Sequence, residues 1–341
     1  MSAGGSIESA DDVRSSVSVE RLADLRGHEE TSATREAEVD RLLAESGVFS
    51  WPLVVDADSG LILDGSHRAR VLGRRGGARF VPAQRVAFDH PALRIGVWCR
   101  VVDGVAPPAF DAVRRRFSLV PAASRGLLCH YRGETYGRPD LEPAAAHALA
   151  RDLARALTED GGGERLSLVA EDEVSLAPCA TDTVVVCPPV LDAGTIRAHA
   201  SAGRLPHKAT RFVLPFRVLG LPVPLDGLAG PRESVWALVS RSLDRPLASL
   251  GAGMTVDRRY PERLWQPVEY HIPRTLFADP EDHARYEIAR RRAAARAGST
   301  TNSPPGHPAL EPGREASQPA PGPRARRTAR QATRQTPCQA P

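Results

Sequence analysis

A run of small and polar residues follows directly after an apolar stretch and consists of Asp64, Gly65, Ser66, His67 and Arg68. A strand that ends in Asp-Gly and opens a helix presents unpaired N–H groups, and glycine lets the backbone approach a phosphate. The Arg68 guanidinium can form bidentate hydrogen bonds with phosphate oxygens, and His67 can donate another hydrogen bond. Asp64 can bind Mg²⁺ or orient a hydroxyl group. The run predicts an anion site, but an ordinary strand–turn–helix with a surface ion pair fits it equally well.

The same run, read as Asp-Gly-x-His-Arg after an apolar strand, resembles the nucleotide-binding loop of the ParB-like and sulfiredoxin-like superfamily. Sulfiredoxins carry a cysteine immediately before His-Arg, whereas this chain has Ser66, which cannot form the thiosulfinate that their repair chemistry needs. Chromosome-partition proteins carry Gly-Glu-Arg-Arg at this loop and a helix-turn-helix after it, and the sequence has neither. The third branch, the free serine kinases, phosphorylates the amino acid itself and is similar to more of this chain.

Two further segments in the first hundred residues resemble the free serine kinases. The segment 25–31 is similar to their His-Glu segment, in which the glutamate directly after histidine is the catalytic base. The resemblance makes Glu29 the base, because the gap from Glu29 to the strand at Pro52 agrees with the family, and it leaves Glu30 a bystander. Trp98 matches a tryptophan that lies near bound serine. Without the resemblance, Glu29 reads as a solvated charge beside a helix start and Trp98 as a core aromatic residue.

A fourth segment, residues 203–216, is similar to the stretch that closes the amino-acid pocket of these kinases. Within it, Arg211 can bind a carboxylate in a bidentate manner and Thr210 offers a hydroxyl group. Lys208 is the single lysine of the chain, although a solvated surface lysine explains it equally well, and Arg211 can also be a surface arginine at a strand edge. Four segments in the same order, spread over residues 17–225, are more specific than any one of them.

The resemblance implies a kinase that transfers a phosphoryl group from ATP or ADP to free L-serine, with Mg²⁺, and so forms O-phospho-L-serine. Elementary chemistry agrees, because the serine hydroxyl has a very high pKa and needs a positioned carboxylate, here Glu29, to accept its proton. Arg68, the loop N–H groups and Mg²⁺ would position and neutralise the phosphates. In the family the product supplies cysteine synthesis or the 2,3-diaminopropionate of siderophores and related natural products, and the second context fits this chain better.

Apolar patterning predicts an α/β fold in two domains. Residues 16–105 read as a ParB/sulfiredoxin-like nucleotide-binding domain, with strands near 17–25, 52–56, 61–64, 80–86 and 94–100 and helices over 34–46 and 67–74. Residues 106–292 read as a second α/β domain that folds over serine, with helices over 141–157, 191–202 and 235–250 and strands over 183–187, 211–216 and 268–272. The Ser/Gly-rich residues 1–15 and the Pro/Arg-rich tail 293–341 are expected to be disordered.

The charge distribution and the cysteine content limit the class of protein and its cellular location. Residues 299–341 carry six arginines against two acidic residues, so the formal net charge of +4 lies entirely in the tail, and a neutral body argues against a broad DNA-binding face. The five cysteines lack the spacing of a structural zinc site, and reduced thiols are typical of a cytoplasmic protein. The sequence shows neither a signal peptide nor an 18-residue apolar stretch. Together these features favour a cytoplasmic protein without a membrane partner. A ParB-like nucleotide-dependent DNA-binding regulator and a non-catalytic serine sensor remain as alternatives, and loss of Glu29 would have favoured the sensor.

Overall fold

The structure, a computed structural model, describes residues 9–122, 126–159, 163–174, 182–256 and 258–300. Its α-helices are α1 (Ala10–Ser16), α2 (Ala33–Ser46), α3 (Ser66–Arg75), α4 (Pro107–Arg116), α5 (Pro143–Glu159), α6 (Ala193–Ala202), α7 (Arg232–Leu243) and α8 (Pro280–Thr300). Its strands are β1 (Val17–Arg21), β2 (Arg26–Gly27), β3 (Val48–Phe49), β4 (Leu53–Asp56), β5 (Leu61–Asp64), β6 (Phe80–Val86), β7 (Arg94–Gly96), β8 (Trp98–Asp103), β9 (Val120–Pro121), β10 (Leu127–Tyr131), β11 (Glu134–Arg138), β12 (Arg165–Ala170), β13 (Val184–Cys187), β14 (Arg211–Val213), β15 (Phe216–Val218), β16 (Val223–Pro224), β17 (Leu247–Leu250), β18 (Met254–Val256), β19 (Arg258–Tyr260) and β20 (Arg263–Pro267). The mixed α/β fold that the sequence predicts is confirmed. None of the helices in the described ranges has the length and apolar character that a bilayer crossing requires.

A five-stranded mixed sheet carries the Asp64 motif. Its strand order is β1-β6-β4-β5-β2, with β4 parallel to β6 and antiparallel to β5. All four residues of β4 are buried, because its alternate residues join two different apolar clusters: Leu53 packs with α2, α3 and α7, and Val54 packs with α6. Since α7 and β15 also contribute to the first cluster, late segments of the chain complete the core around the early motif. The division of the chain near residue 105 stays a prediction.

A six-stranded antiparallel sheet lies in the middle of the sequence. Its order is β12-β8-β13-β10-β11-β9. One face packs against α4 and α5 through an apolar core that includes Phe110 and Leu153. A second, smaller apolar cluster includes Cys99 of β8 and Val185 of β13. Because β8 begins at Trp98, this sheet also positions a residue of the expected serine pocket.

Short backbone pairings bring remote segments together near the end of β5. β7 pairs antiparallel with β14, which places Gly96 opposite Arg211. An isolated parallel bridge joins Glu29 to Leu205, and the Glu30 N–H donates to the Leu205 carbonyl at 2.7 Å. A three-stranded sheet of order β15-β20-β17 contributes Arg217 from β15. Backbone hydrogen bonds therefore hold the Glu29, Trp98 and Arg211 segments against one another.

Both ends of the described chain contain more helix than composition predicts. Ser9 and Asp12 form a reciprocal capping box at the start of α1, and Val13 is fully buried, so the prediction of disorder is wrong for residues 9–15. α8 continues to Thr300, past the expected start of the tail at residue 293. The remaining residues of both predicted disordered segments, 1–8 and 301–341, lie outside the described ranges.

Two internal elements also differ from the patterns in the sequence. The helix expected over 235–250 ends at Leu243, and 247–250 is strand β17, because Pro246 cannot continue a helix and disfavours helical backbone in the residue before it. The strand expected over 268–272 lies earlier, as β20. After β20 the Tyr270 N–H donates to the Pro267 carbonyl at 3.0 Å, which makes a turn of that segment.

Candidate functional site

The Asp64–Arg68 motif forms a sharp turn between β5 and α3. Gly65 caps the helix with a φ of 99°, a left-handed conformation that residues with side chains rarely adopt. A Cβ at this position would lie 2.6 Å from Leu53 and 2.9 Å from the Arg68 guanidinium. No side chain among the described residues caps the start of α3, so the N–H groups of its first turn, beginning at Ser66, can receive an anion.

A chain of charged side chains lies behind this turn. The Asp64 Oδ2 accepts hydrogen bonds from Arg68 at 3.0 Å and from Arg217 at 2.8 Å, and the Arg217 Nε donates to Glu262 at 2.7 Å. Arg68 also donates to the carbonyl groups of Trp51 and Pro52. Arg68 is thus bound to β5 and to the entry of β4, and its position beside the turn is fixed by protein groups. Arg217 is missed by sequence reasoning, since its partner Asp64 lies 153 residues away.

The Glu29 carboxylate is held by the segment that follows α6. Its Oε1 accepts hydrogen bonds from the Thr210 N–H at 2.6 Å and the Thr210 hydroxyl at 2.5 Å, whereas its Oε2 accepts one from the Lys208 N–H at 3.1 Å. Lys208 has a φ of 63°, an unusual conformation for a residue with a side chain, in the loop whose N–H groups bind Glu29. Because Oε1 has both lone pairs engaged, Oε2 is the oxygen with acceptor capacity to spare.

His28 adds a second layer to this carboxylate. Its Nδ1 donates to the Ile62 carbonyl at 3.0 Å, and its Nε2 lies 2.7 Å from the Thr210 hydroxyl and 3.5 Å from the Glu29 Oε1. Burial raises the pKa of Glu29, but the hydrogen bonds and charge of His28 and the Thr210 donors outweigh it, so the pKa of Glu29 lies below its ordinary value. Glu29 is therefore a largely buried carboxylate, 13% exposed, that is ionised at neutral pH.

Glu30 has a different environment from Glu29. Its side chain is 51% exposed and lies 3.4 Å from Arg151, which is also largely exposed. An exposed ion pair of this kind contributes little energy and holds no fixed geometry. Of the two neighbouring glutamates, Glu29 is the one that is largely buried and held by four groups, which are the Lys208 N–H, the Thr210 N–H and hydroxyl, and His28.

Two histidine side chains lie at the N-terminal end of α3. Burial, with the charges of His207 and Lys208, lowers the pKa of His67 to about 4. Its Nε2 accepts a hydrogen bond from the Ser32 N–H at 3.1 Å, so the neutral ring carries its proton on Nδ1. The His207 ring lies edge-on to His67 at 5.1 Å, and its buried Nε2 has no hydrogen-bond partner among the described residues. Both rings are neutral at pH 7, and each presents a polar atom for a ligand.

Trp98 lies beneath two cations. The Lys208 ammonium is 5.0 Å and the Arg211 guanidinium 5.8 Å from the centre of its ring. Arg211 is itself 9% exposed and donates to Asp172 at 3.0 Å, with Glu171 at 3.5 Å. The acidic partners of Arg211 reduce the charge it can offer to a substrate carboxylate.

Arg100 is a buried cation that the sequence analysis overlooks. It lies two residues after Trp98, on the same face of β8, and is 4% exposed. Its one hydrogen bond among the described residues is a long one, 3.4 Å, to the Trp98 carbonyl. Burial lowers its pKa, while the charges of Cys99 and Glu29 act in the opposite direction. The alternation along β8 could have identified Arg100 as a companion of Trp98.

Two adjoining cavities meet at Glu29 and Ser66. The larger cavity, of about 640 Å³, is lined by apolar side chains and by five arginines, which are Arg21, Arg70, Arg74, Arg79 and Arg204. The smaller one, of about 80 Å³, is lined by nine of the ten residues that the sequence singled out, namely Glu29, Asp64, Gly65, Ser66, His67, Trp98, Lys208, Thr210 and Arg211. Arg68, the tenth, stands behind Asp64. The large cavity has the size of a typical ligand pocket, and the small one suits a compact polar molecule.

The described residues contain no cluster of three or more metal-ligating side chains. The one carboxylate at the turn, Asp64, has its Oδ2 bound to two guanidinium groups. Magnesium in phosphoryl-transfer sites is commonly held by one or two carboxylates together with substrate phosphates and water. Asp64 is thus the one carboxylate at the turn that can contact an ion brought by a nucleotide, and the other ligands would have to come from phosphates and water.

The sequence matches no protein-family model and no curated protein. Among solved structures, a C-terminally truncated SbnI from Staphylococcus aureus superposes with a TM-score of 0.55 at 16% identity, over 67% of this chain and 97% of that one. A glutamate-to-alanine variant of a free serine kinase in complex with ADP gives 0.51 at 16% identity, over 62% and 94%. A free serine kinase in complex with AMP gives 0.51 at 15% identity, over 62% and 93%.

The chain has a free serine kinase-like fold. The similarity covers nearly the whole length of each of these structures, and it extends over about two thirds of this chain. At 15–16% identity the likeness establishes the fold alone. The roles of the residues described above depend on their own geometry.

Proposed function

We propose that this protein is a small-molecule kinase that transfers a phosphoryl group from ATP or ADP to the hydroxyl of free L-serine and releases O-phospho-L-serine. The observation that carries the proposal is the Glu29 carboxylate, which is largely buried, ionised and fixed at the junction of two cavities. Further support comes from the fold, since similar structures are named as a free serine kinase with ADP or AMP bound.

The larger cavity is the proposed nucleotide site. Its apolar side chains, which include Leu22 and Ile62, can cover a purine ring, and its arginines can balance phosphate charge. Ser66 opens α3 and borders both cavities, so the phosphates would lie over the helix N-terminus and point towards the smaller cavity. The Nδ1–H of His67 can donate to the same phosphates.

The smaller cavity is the proposed serine site. Trp98 forms one wall, and the surrounding cations favour a molecule with a carboxylate. We assign the carboxylate to Arg211 with a contribution from Lys208, both of which line this cavity. The Thr210 hydroxyl is engaged with Glu29, so its role is to position the base.

The reaction follows from the placement of Glu29. The serine hydroxyl approaches Glu29 Oε2, which accepts its proton as the serine oxygen attacks the terminal phosphorus. The bond between that phosphorus and its bridging oxygen breaks, the nucleotide leaves one phosphate shorter, and the proton passes from Glu29 to solvent. The first-turn N–H groups of α3 and the pocket arginines stabilise the charge on the transferred group. When bound, Mg²⁺ would be held by Asp64 and the phosphates and would supply further charge neutralisation.

The product is an activated amino acid, because phosphorylation converts the serine hydroxyl into a good leaving group. This chemistry suits a following replacement at the β-carbon of serine. On the family resemblance we place the product in diaminopropionate formation for siderophores or in cysteine synthesis.

Product analysis tests the proposal. Purified protein is incubated with L-serine, Mg²⁺ and either ATP or ADP, and O-phosphoserine is measured by mass spectrometry against a reaction without serine. We expect phosphoserine and the shortened nucleotide in equal amounts with at least one donor. Nucleotide and serine binding without any product would favour the ligand-sensor alternative, and tight DNA binding without product would favour the ParB-like regulator.

A further inference from the structure

Two cysteines face each other on adjacent strands of the six-stranded sheet. β8 and β13 pair antiparallel with Val186 opposite Arg100, and the next step of that register sets Cys187 opposite Cys99. Both cysteines belong to the same small apolar cluster. Residues directly opposite in an antiparallel pair have Cα atoms about 4.5 or 5.5 Å apart, which lies within the range that a disulfide spans.

The two thiols differ in exposure and environment. Cys99 is buried, whereas Cys187 is partly open to solvent. The neighbouring Cys99 thiol and His130, on β10, lower the pKa of Cys187, whereas Cys187 and burial raise the pKa of Cys99. The His130 Nδ1 is hydrogen-bonded to Thr135 at 3.0 Å, which leaves the Nε2 of the ring for another partner. The other titratable groups near this pair are Glu171 and Cys129, which oppose a thiolate, and the Arg100 guanidinium, which favours one at Cys99.

We propose that Cys187 and Cys99 are a peroxide-oxidised pair that forms a cross-strand disulfide. A partly exposed, stabilised thiolate beside a buried second thiol is the arrangement in which oxidation stops at a disulfide and does not proceed to sulfinic acid. Neither cysteine lines the two cavities, so this chemistry is independent of the proposed kinase activity.

The reaction balances with hydrogen peroxide as the oxidant. The Cys187 thiolate attacks one peroxide oxygen, the O–O bond breaks, and the departing hydroxide takes a proton to form water. The resulting sulfenic acid is then attacked by the Cys99 sulfur, which gives up its proton as the S–O bond breaks and a second water leaves. Two thiols and one peroxide thus yield one disulfide and two waters.

Peptide mapping tests the pair directly. The full chain is treated with one equivalent of hydrogen peroxide, its remaining thiols are alkylated, and it is cut before aspartates without reduction. This cleavage separates all five cysteines, with Cys99 in fragment 89–102 and Cys187 in fragment 182–191. We expect these two fragments to be linked. Linkage of Cys187 to another cysteine, or Cys187 recovered as thiol or sulfinic acid, would overturn the proposal.

Variants distinguish the formation of the Cys187 sulfenic acid from the formation of the disulfide. In Cys99→Ser, Cys187 should accumulate as a sulfenic acid that dimedone traps, and Cys129→Ser, a buried cysteine on the same sheet, should leave the linkage intact. The rate of Cys187 alkylation should rise with a midpoint below the ordinary cysteine pKa of about 8.5 in the unmodified protein, and His130→Gln should move that midpoint upward. A midpoint near 9 in both proteins, or no dimedone adduct in Cys99→Ser, would contradict the proposal even if every variant folds.

Discussion

At the scale of single residues, Glu29 is set apart from Glu30 by the groups that surround it. Three donors and a histidine hold one carboxylate in a largely buried and ionised state, while its sequence neighbour forms an exposed ion pair with Arg151. A general base must accept a proton at a defined position, so burial and fixed geometry matter more than the presence of a carboxylate. Oε2, with one hydrogen bond, is the atom we expect to receive the proton.

The Thr210 hydroxyl should set the acid limit of activity. Thr210→Val removes one donor to Glu29 and leaves the backbone N–H in place, so the pKa of Glu29 should rise by about one to two units, because a charge-assisted hydrogen bond contributes about 1.5–3 kcal/mol. We therefore expect the acid limb of kcat/KM to move to higher pH, with activity above pH 8 much less affected. Thr210→Ser retains the hydroxyl and is the matched control. An acid limb that stays in place in Thr210→Val would show that Glu29 does not titrate in catalysis.

At the scale of secondary structure elements, the turn between β5 and α3 depends on Gly65. Gly65→Ala would force a side chain into a left-handed conformation and against Leu53, so it should lower the free energy of unfolding by about 1–3 kcal/mol and weaken nucleotide binding. Gly73→Ala in the same helix is the control for stability, because a Cβ there meets nothing within 4 Å and should add about 0.5–1 kcal/mol. Urea denaturation and calorimetry with ADP measure both effects. Equal stability of the two variants would contradict this view of the turn.

Local sequence patterns are sufficient to predict some elements of the fold and some site residues, but not others. The β5–α3 turn was predictable because its apolar strand, Asp-Gly turn and helix are contiguous, and nine of the ten expected residues do line one cavity. The Asp64–Arg217 pair and the acidic partners of Arg211 join residues that are far apart in the chain, so no local pattern contains them. Pro246 could have predicted the end of α7, but the helical spacing of the apolar residues before it favoured a longer helix.

At the scale of the whole molecule, the excess positive charge lies in a part of the sequence outside the described ranges. Residues 301–341 contain the six arginines and two glutamates that give the chain its net charge of +4, and the rest is formally neutral. Deleting 301–341 keeps α8 complete, so we expect kinase activity within about twofold of the full chain and weaker retention on nucleic acid at low salt. Steady-state assays and a salt series on immobilised DNA test this. A tenfold loss of activity would place the tail in catalysis or assembly.

The most direct measurement of the central claim is single-turnover formation of phosphoserine by the unmodified protein, Glu29→Gln and Glu30→Gln, each with its thermal stability and ADP affinity determined alongside. Glu29→Gln keeps the size of the side chain and removes the base, so turnover should fall by about 10²–10⁴-fold while ADP still binds, and Glu30→Gln should remain within a few-fold of the unmodified protein. An active Glu29→Gln together with an inactive Glu30→Gln would move the base by one residue. Full activity in both variants would contradict the carboxylate mechanism.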